Sequence, residues 1–265
     1  MGTTDRGILY PTRLPTFRRV PPPEAVADRV RWFWIPEWDL APGRVSRQHV
    51  IAFPACNLVV EPDLVALAGP ATRAGVRDLV GRGWTVGALL RPAAVPALSQ
   101  DPTTERDAYR TLELPDLHAA VAGPMRVAPG DPGHAERHDR AVAAFTTWLL
   151  AHVPPADADG LLANAMADAV DGDPGLVRVE QVAERLGVGV RTLQRLARRH
   201  VGLPPAAMIR RRRLQEAAEL VRTRPDTDLA ALAADLGYAD QAHLAQDFRT
   251  TLGSTASSYR SAARG

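Results

Sequence analysis

Between Arg191 and Arg213 the chain carries eight arginines, at 191, 195, 198, 199 and 210–213, and no acidic residue. A guanidinium is a planar, always-charged fork that pairs at two points with a phosphate or with O6 and N7 of guanine. Gln194 lies among these arginines, and its amide can do the analogous job on adenine. A solvated helix face is the bland account of a charge run. Such a face mixes signs so that residues four apart can pair, and this one does not.

Other groups invite chemistry and carry less. His134-Ala-Glu-Arg-His138 sets two histidines four apart on one helix face, but its acid falls one place too late for the zinc-protease pattern. An exposed helix start is the simpler account, and no metal site is expected. Cys56 is the one cysteine, which excludes an intramolecular disulfide and a thiolate-rich zinc site. A free cysteine most often packs as a small hydrophobe. Trp32 and Trp34 share a strand face by period two, so core packing is favoured. With Phe53, Cys56 and Trp84 they also mark the best place for an effector pocket.

The elements that position the arginines show a repeat. Val182-Ala-Glu-Arg-Leu-Gly-Val188 matches Leu232-Ala-Ala-Asp-Leu-Gly-Tyr238 at a spacing of 50 residues. After one inserted residue, Leu193, Arg198, Val201 and Gly202 align with Leu244, Arg249, Leu252 and Gly253. Each copy reads as a short helix, a glycine turn and a second helix, the layout of a helix-turn-helix. The second helices are expected at Val190–Val201 and Gln241–Leu252, the latter capped by Asp240, with a linking helix over Ala206–Arg222. In the first, Leu193, Leu196 and Val201 face the core, which turns Arg191, Gln194, Arg195 and Arg198 outward. In the second, Gln241, Ala242, His243 and Gln246 take the outward places. A helix so placed presents its N-terminal turns to base edges in a major groove. Arg198, Arg199, Arg249 and the 210–213 cluster, Arg210 and Arg211 first, suit phosphate contacts.

Charge is distributed to match. The chain has 32 basic and 30 acidic residues over 265 positions, and every basic one is arginine. Fifteen arginines and nine acids follow residue 175, so that part carries +6 and the part before it −4. Upstream, residues 1–17 read as an extended arm and 18–92 as a β-rich domain. Aromatic and β-branched runs at 29–35, 57–60, 64–67 and 84–90 carry that second reading, punctuated by Pro and Gly. Residues 93–175 read as a connector, helical from about 134, with a short helix near Glu105–Thr111 before it. Val142, Phe145, Leu149 and Leu150, then Leu161, Leu162, Ala165, Met166 and Ala169, recur at helical spacing. Residues 176–262 form the all-helical module. The expected class is α+β. Neither an apolar run long enough for a membrane nor the apolar core of a signal peptide is found, so a cytoplasmic protein is expected.

Over about 178–260 the sequence resembles the AraC/XylS family of bacterial transcriptional regulators. Arg191-Thr-Leu-Gln-Arg195, His200-Val-Gly-Leu-Pro-Pro205 and Leu236-Gly-Tyr-Ala-Asp-Gln-Ala-His-Leu244 carry the likeness. So do Asp247-Phe-Arg249, Gly253-Ser-Thr255 and Tyr259-Arg260. The resemblance implies a module whose two recognition helices enter successive major-groove faces, with Arg191, Gln194, Arg195, Gln241, Ala242, His243 and Gln246 toward the bases. The chain departs from the family at Ala197, where a phenylalanine is usual, which should weaken packing of the first unit. Gly189 replaces a capping serine, Ala256 a proline, and Gln246 a common arginine. Residues 18–92, with Asn57-Leu-Val59 and Gly87-Ala-Leu-Leu-Arg-Pro92, are more loosely similar to an uncharacterised amino-terminal domain of some AraC-type proteins.

The expectation is a one-component, sequence-specific regulator of transcription that binds double-stranded DNA. No cofactor and no catalytic residue is expected. RNA polymerase and a small-molecule effector are further candidate partners, and a homodimer through the N-terminal domain is left open. The alternatives are a DNA-tethered enzyme, for which paired carboxylates or a nucleophile constellation are lacking, and a non-specific nucleoid binder.

Overall fold

Side-chain alternation builds the N-terminal half, and strand β2 (Val30–Asp39) shows how. Phe33 and Ile35 are buried on one face, while Trp32 and Trp34 lie half-buried on the other. The tryptophans do share a face, but it is the one turned away from the main core. A bulge between Val30 and Trp32 lets Val30 join the core with Phe33. The computed structural model describes residues 16–50, 53–73, 75–224, 226–252, 255–256 and 259.

β2 pairs with β1 (Thr16–Val20) on one side and β8 (Val86–Leu90) on the other. The sheet continues through β4 (Asn57–Val60) and β5 (Val65–Ala68) to β9 (Tyr109–Leu112), antiparallel throughout. β7 (Arg82–Trp84) pairs with the far end of β2. In register, Ala88 partners Phe33 on one side and Leu58 on the other, and Leu58 partners Leu67. One apolar row therefore crosses four strands. Helices α1 (Pro115–Met125) and α2 (Arg137–His152) add Leu117, Val121, Phe145 and Leu149 to that core, with the Phe145 ring 5.5 Å from that of Phe33. β3 (Val45–Val50) and β6 (Gly75–Val80) form a separate ribbon, across which Arg47 Nε and Nη2 grip Asp78.

The connector expected over 93–175 is divided between two cores. β9 takes an edge of the sheet where a short helix was expected, and α1 and α2 belong to the sheet's core. Helix α3 (Ala158–Gly172) instead sends Met166 and Val170 into the C-terminal module. Its buried face is Gly160, Ala163, Asn164, Met166 and Val170, so Leu161 stands 55% exposed, as Leu150 does on α2 at 47%. Of the arm, residues 1–15 lie outside the described residues, and Thr16 and Phe17 already belong to β1.

Beyond α3 the described chain is helical: α4 (Val179–Arg185), α5 (Val190–His200), α6 (Pro205–Thr223), α7 (Leu229–Asp235) and α8 (Gln241–Leu252). The fold is α+β, with a β-rich N-terminal part and an all-helical C-terminal one. Among the described residues no helix is long and apolar enough to cross a membrane.

Candidate nucleic-acid interface

The repeat in sequence is a repeat in backbone hydrogen bonding. After α4, Gly187 sits at φ +64°, its N–H donates to Glu184 O, and the Val188 N–H reaches Ala183 O. After α7, Gly237 sits at φ +72°, its N–H donates to Ala234 O, and the Tyr238 N–H reaches Ala233 O. Both are the paired helix-ending bonds that need a left-handed residue, which glycine adopts without a Cβ penalty. The sharp reversal into α5 and α8 follows. Asp240 caps α8 by accepting the His243 N–H at 2.7 Å, whereas Gly189 leaves α5 without a side-chain cap.

In α5, Leu193, Leu196, Ala197 and His200 are buried, and Arg191, Gln194, Arg195, Arg198 and Arg199 are exposed. In α8, Leu244, Asp247 and Phe248 are buried, and Gln241, Ala242, His243, Gln246 and Arg249 are exposed. Each second helix thus presents one polar stripe outward. Neither stripe is wholly without contacts. The Tyr238 ring meets His243 edge-on at 5.3 Å, and Arg249 Nη2 donates to Gln246 Oε1 at 3.1 Å. Arg195 donates through Nη1 and Nη2 to Asp159 Oδ2 and Oδ1 of α3, at 2.7 and 3.3 Å.

The 210–213 cluster does not face outward as a group, which corrects its expected role. α6 runs between the two units, and the neighbours that pack around it engage the cluster. Arg211 is 4% exposed and donates through Nη2 to Ala71 O and Arg73 O, at 2.5 and 3.3 Å, in the loop after β5. Burial pulls its pKa down to about 10, and it is a tie between the halves of the chain, not a phosphate contact. Arg212 is buried, with Nη1 on Glu216 and Nη2 on Pro174 O and Leu176 O. Arg213 stacks its guanidinium on the Tyr238 ring at 4.0 Å. Arg210 is half exposed, but its fork is held by the buried Asp247 carboxylate of α8, with Nε 2.9 Å from Oδ2.

Ala197 does not leave the first unit short of packing, which corrects a second expectation. The second unit fills its centre with its own Phe248. The first places Ala197 in a core that Met166 and Val170 of α3 complete, together with Leu193, Val201 and Met208. A small residue on α5 lets a neighbouring helix approach and supply the volume itself.

α3 is also tied to the β-rich half. Asn164 accepts from Ala93 N at 3.0 Å and donates to Asp28 O at 2.7 Å, while Arg31 and Arg91 pair with Asp171 and Asp168. At the end of α5 the His200 ring contacts Pro92 O through Nδ1 at 3.2 Å, and Arg106 donates to Gly202 O. A groove lies at this junction, lined by Phe53, Cys56 and Val95 on one side and by Asp168, His200 and Met208 on the other. Of the expected effector residues, Phe53 and Cys56 reach it, and Trp32 packs edge-on behind Phe53 at 5.0 Å. Trp34 instead lies over Gly87 and donates to Asn57 Oδ1, and Trp84 packs on the sheet's core, so neither lines the groove. The Cys56 thiol is pushed up to about 12 by burial, with Glu105 adding to it. His134 and His138 turn to different partners, Val127 O and Glu37 Oε2. Asp159 and the junction contacts have no local sequence signal, because each joins residues far apart in the chain.

Residues 182–262 match the family profile of a helix-turn-helix domain, and residues 18–107 that of a domain of unknown function, DUF6597. The HTH-type transcriptional activator RhaS of Escherichia fergusonii is 33% identical over 95 residues, 36% of this chain. The chain spans about a third of the length of that curated relative. Among solved structures, ToxT of Vibrio cholerae bound to (E)-4-(8-methylnaphthalen-1-yl)but-3-enoic acid is 11% identical, with a TM-score of 0.45 over 87% of this chain and 99% of that one. The AraC-like transcriptional activator CuxR is 15% identical, with a TM-score of 0.23 over 76% of this chain and 94% of that one. With two like units joined by α6 and the profile match spanning both, residues 182–262 of this chain are a helix-turn-helix domain.

Proposed function

We propose that the chain is a sequence-specific DNA-binding regulator of transcription, governed through its N-terminal half by a small molecule. One observation carries the reading: two units of the same backbone geometry each turn the polar stripe of their second helix outward. Arg191, Gln194 and Arg195 of α5 read one stretch of bases, and Gln241, Ala242, His243 and Gln246 of α8 the next. Arg198, Arg199 and Arg249 supply phosphate contacts, which position the module without selecting sequence. The effector site is the junction groove, because its two walls belong to the two halves and a ligand there bears on both.

Selection from a random-sequence duplex library with the full chain, followed by footprinting, tests this. A recovered site with two half-elements about one helical turn apart supports it. Arg195→Ala then weakens that site far more than a scrambled duplex and relaxes one base position. Recovery of no preferred sequence refutes the proposal.

A further inference from the structure

We propose that Asp159 is an autoinhibitory latch on the first recognition helix, competing with DNA for the guanidinium of Arg195. The proposal rests on the DNA-reading role just given to that arginine.

The geometry of the pair decides between two roles for the acid. A carboxylate that buttresses a base-reading arginine grips the Nε side and leaves the terminal nitrogens free for guanine O6 and N7. Asp159 does the opposite: Oδ2 and Oδ1 take Nη1 and Nη2, so both terminal nitrogens of the fork are occupied. An end-on two-point pair with guanine uses those same two terminal nitrogens, so Asp159 competes with a base edge for that face of the fork. Two neighbouring arginines feel acids at longer range. The negative field of Asp159 reaches Arg199 and His200, and Asp101, in the loop before β9, is held below its ordinary range chiefly by hydrogen bonds from Thr103, with a smaller effect of Arg198. Both acids belong to the half of the chain that carries −4.

The latch is placed by the N-terminal half. Asp159 is in the first turn of α3, which Asp157 caps by accepting the Gly160 N–H at 2.7 Å. Gly160 lies against Ala93, so closely that an added Cβ would sit 3.0 Å from the Ala93 Cβ. Asn164, one turn on, is bonded to Ala93 N and Asp28 O. The same 3-10 segment, Pro92–Ala97, supplies the Pro92 carbonyl that meets His200 at the end of α5. One short segment of the β-rich half therefore bears on the helix holding the carboxylate and on the helix holding the arginine. A displacement of it shifts one against the other and releases the fork.

The test uses the full chain with Asp159→Asn, which removes the charge and keeps the side-chain shape and the Asp157 cap. The probes are the duplex selected by the wild-type chain and a scrambled duplex of equal length. An exposed ion pair is a modest restraint, so affinity for the selected duplex is expected to rise about two- to fivefold. The gain should be smaller on the scrambled duplex and vanish in an Arg195→Ala background. Unchanged or weaker binding by a folded Asp159→Asn chain overturns the latch and makes Asp159 a buttress. A gain that persists without Arg195, or is equal on both duplexes, overturns it in favour of general charge repulsion. Failure of the underlying DNA-reading proposal is separate, since the wild-type chain would then select no duplex at all.

Discussion

Replacing Arg211 by alanine separates two accounts of the arginine run. As a phosphate contact, Arg211 would matter to DNA and little to stability. As the structure has it, the reverse holds. The side chain is buried and its Nη2 serves two carbonyls, Ala71 O and Arg73 O. A hydrogen bond from a charged donor nets about 1.5–3 kcal/mol, and the loop carbonyls left behind can find water only in part. We therefore expect Arg211→Ala to cost about 2–3 kcal/mol, a fall in Tm of roughly 4–12 °C for a chain of this size. Binding to a random-sequence duplex should keep its salt dependence, because no phosphate contact is lost. Arg198→Ala is the counterpart: stability within about 0.5 kcal/mol of wild type, and a slope of log K against log salt shallower by about 0.9. Thermal unfolding and fluorescence anisotropy over about 50–200 mM salt measure both. If Arg211→Ala flattened the slope by about one and left Tm alone, the assignment to the junction would be wrong.

Three further outcomes follow from burial and charge. Met166→Ala should cost about 2–5 kcal/mol in urea unfolding, whereas Leu161→Ala, on the exposed side of the same helix, should stay within about 0.5 kcal/mol. Equal costs would remove α3 from the first unit's core. Cys56, buried and with its thiol pushed up to about 12, should resist iodoacetamide at pH 8 in the folded chain and react once urea unfolds it; rapid labelling of the native chain would contradict this. His200 has its pKa held below the ordinary 6.5, chiefly by burial, which the Pro92 O contact offsets in part, with a smaller lowering by Arg199 and smaller opposing effects of Asp157 and Asp159. The unfolded chain then binds the proton more tightly, so this stability is present above about pH 6.5 and is lost as pH falls through that value. Tm should drop between pH 7.5 and 5.5, and less so in His200→Gln; an identical drop would place the titration elsewhere.

The candidate interface was legible where its determinants are local. Gly187 and Gly237 stop helices by their own left-handed conformation, Asp240 caps its own helix, and the spacing of Leu193 and Leu196 sets which way Arg191, Gln194 and Arg195 point. The linking helix was legible too, from Ala206–Arg222 as read to Pro205–Thr223 as found. The N-terminal half was less so. The runs at 57–60 and 84–90 are strands, but β9 takes its place only by pairing with β5, more than forty residues earlier in the chain. No local pattern carries such a partner.

Two like helix-turn-helix units, and the side chains their second helices turn outward, could be read from the amino-acid sequence, because helix periodicity and turn chemistry act within a few residues. Which of the arginines stay on the surface was settled only by the packing of distant segments. Arg211 and Arg212 look like the strongest part of the charge run, yet α6 is surrounded on several sides, and carbonyls from Ala71, Arg73, Pro174 and Leu176 claim them. Arg195 remains on the surface but is met by Asp159, 36 residues away, whose position depends on how α3 packs against the β-rich half. A guanidinium is free or engaged according to what folding brings within about 3 Å of it, and that distance is not written in the spacing of the arginines.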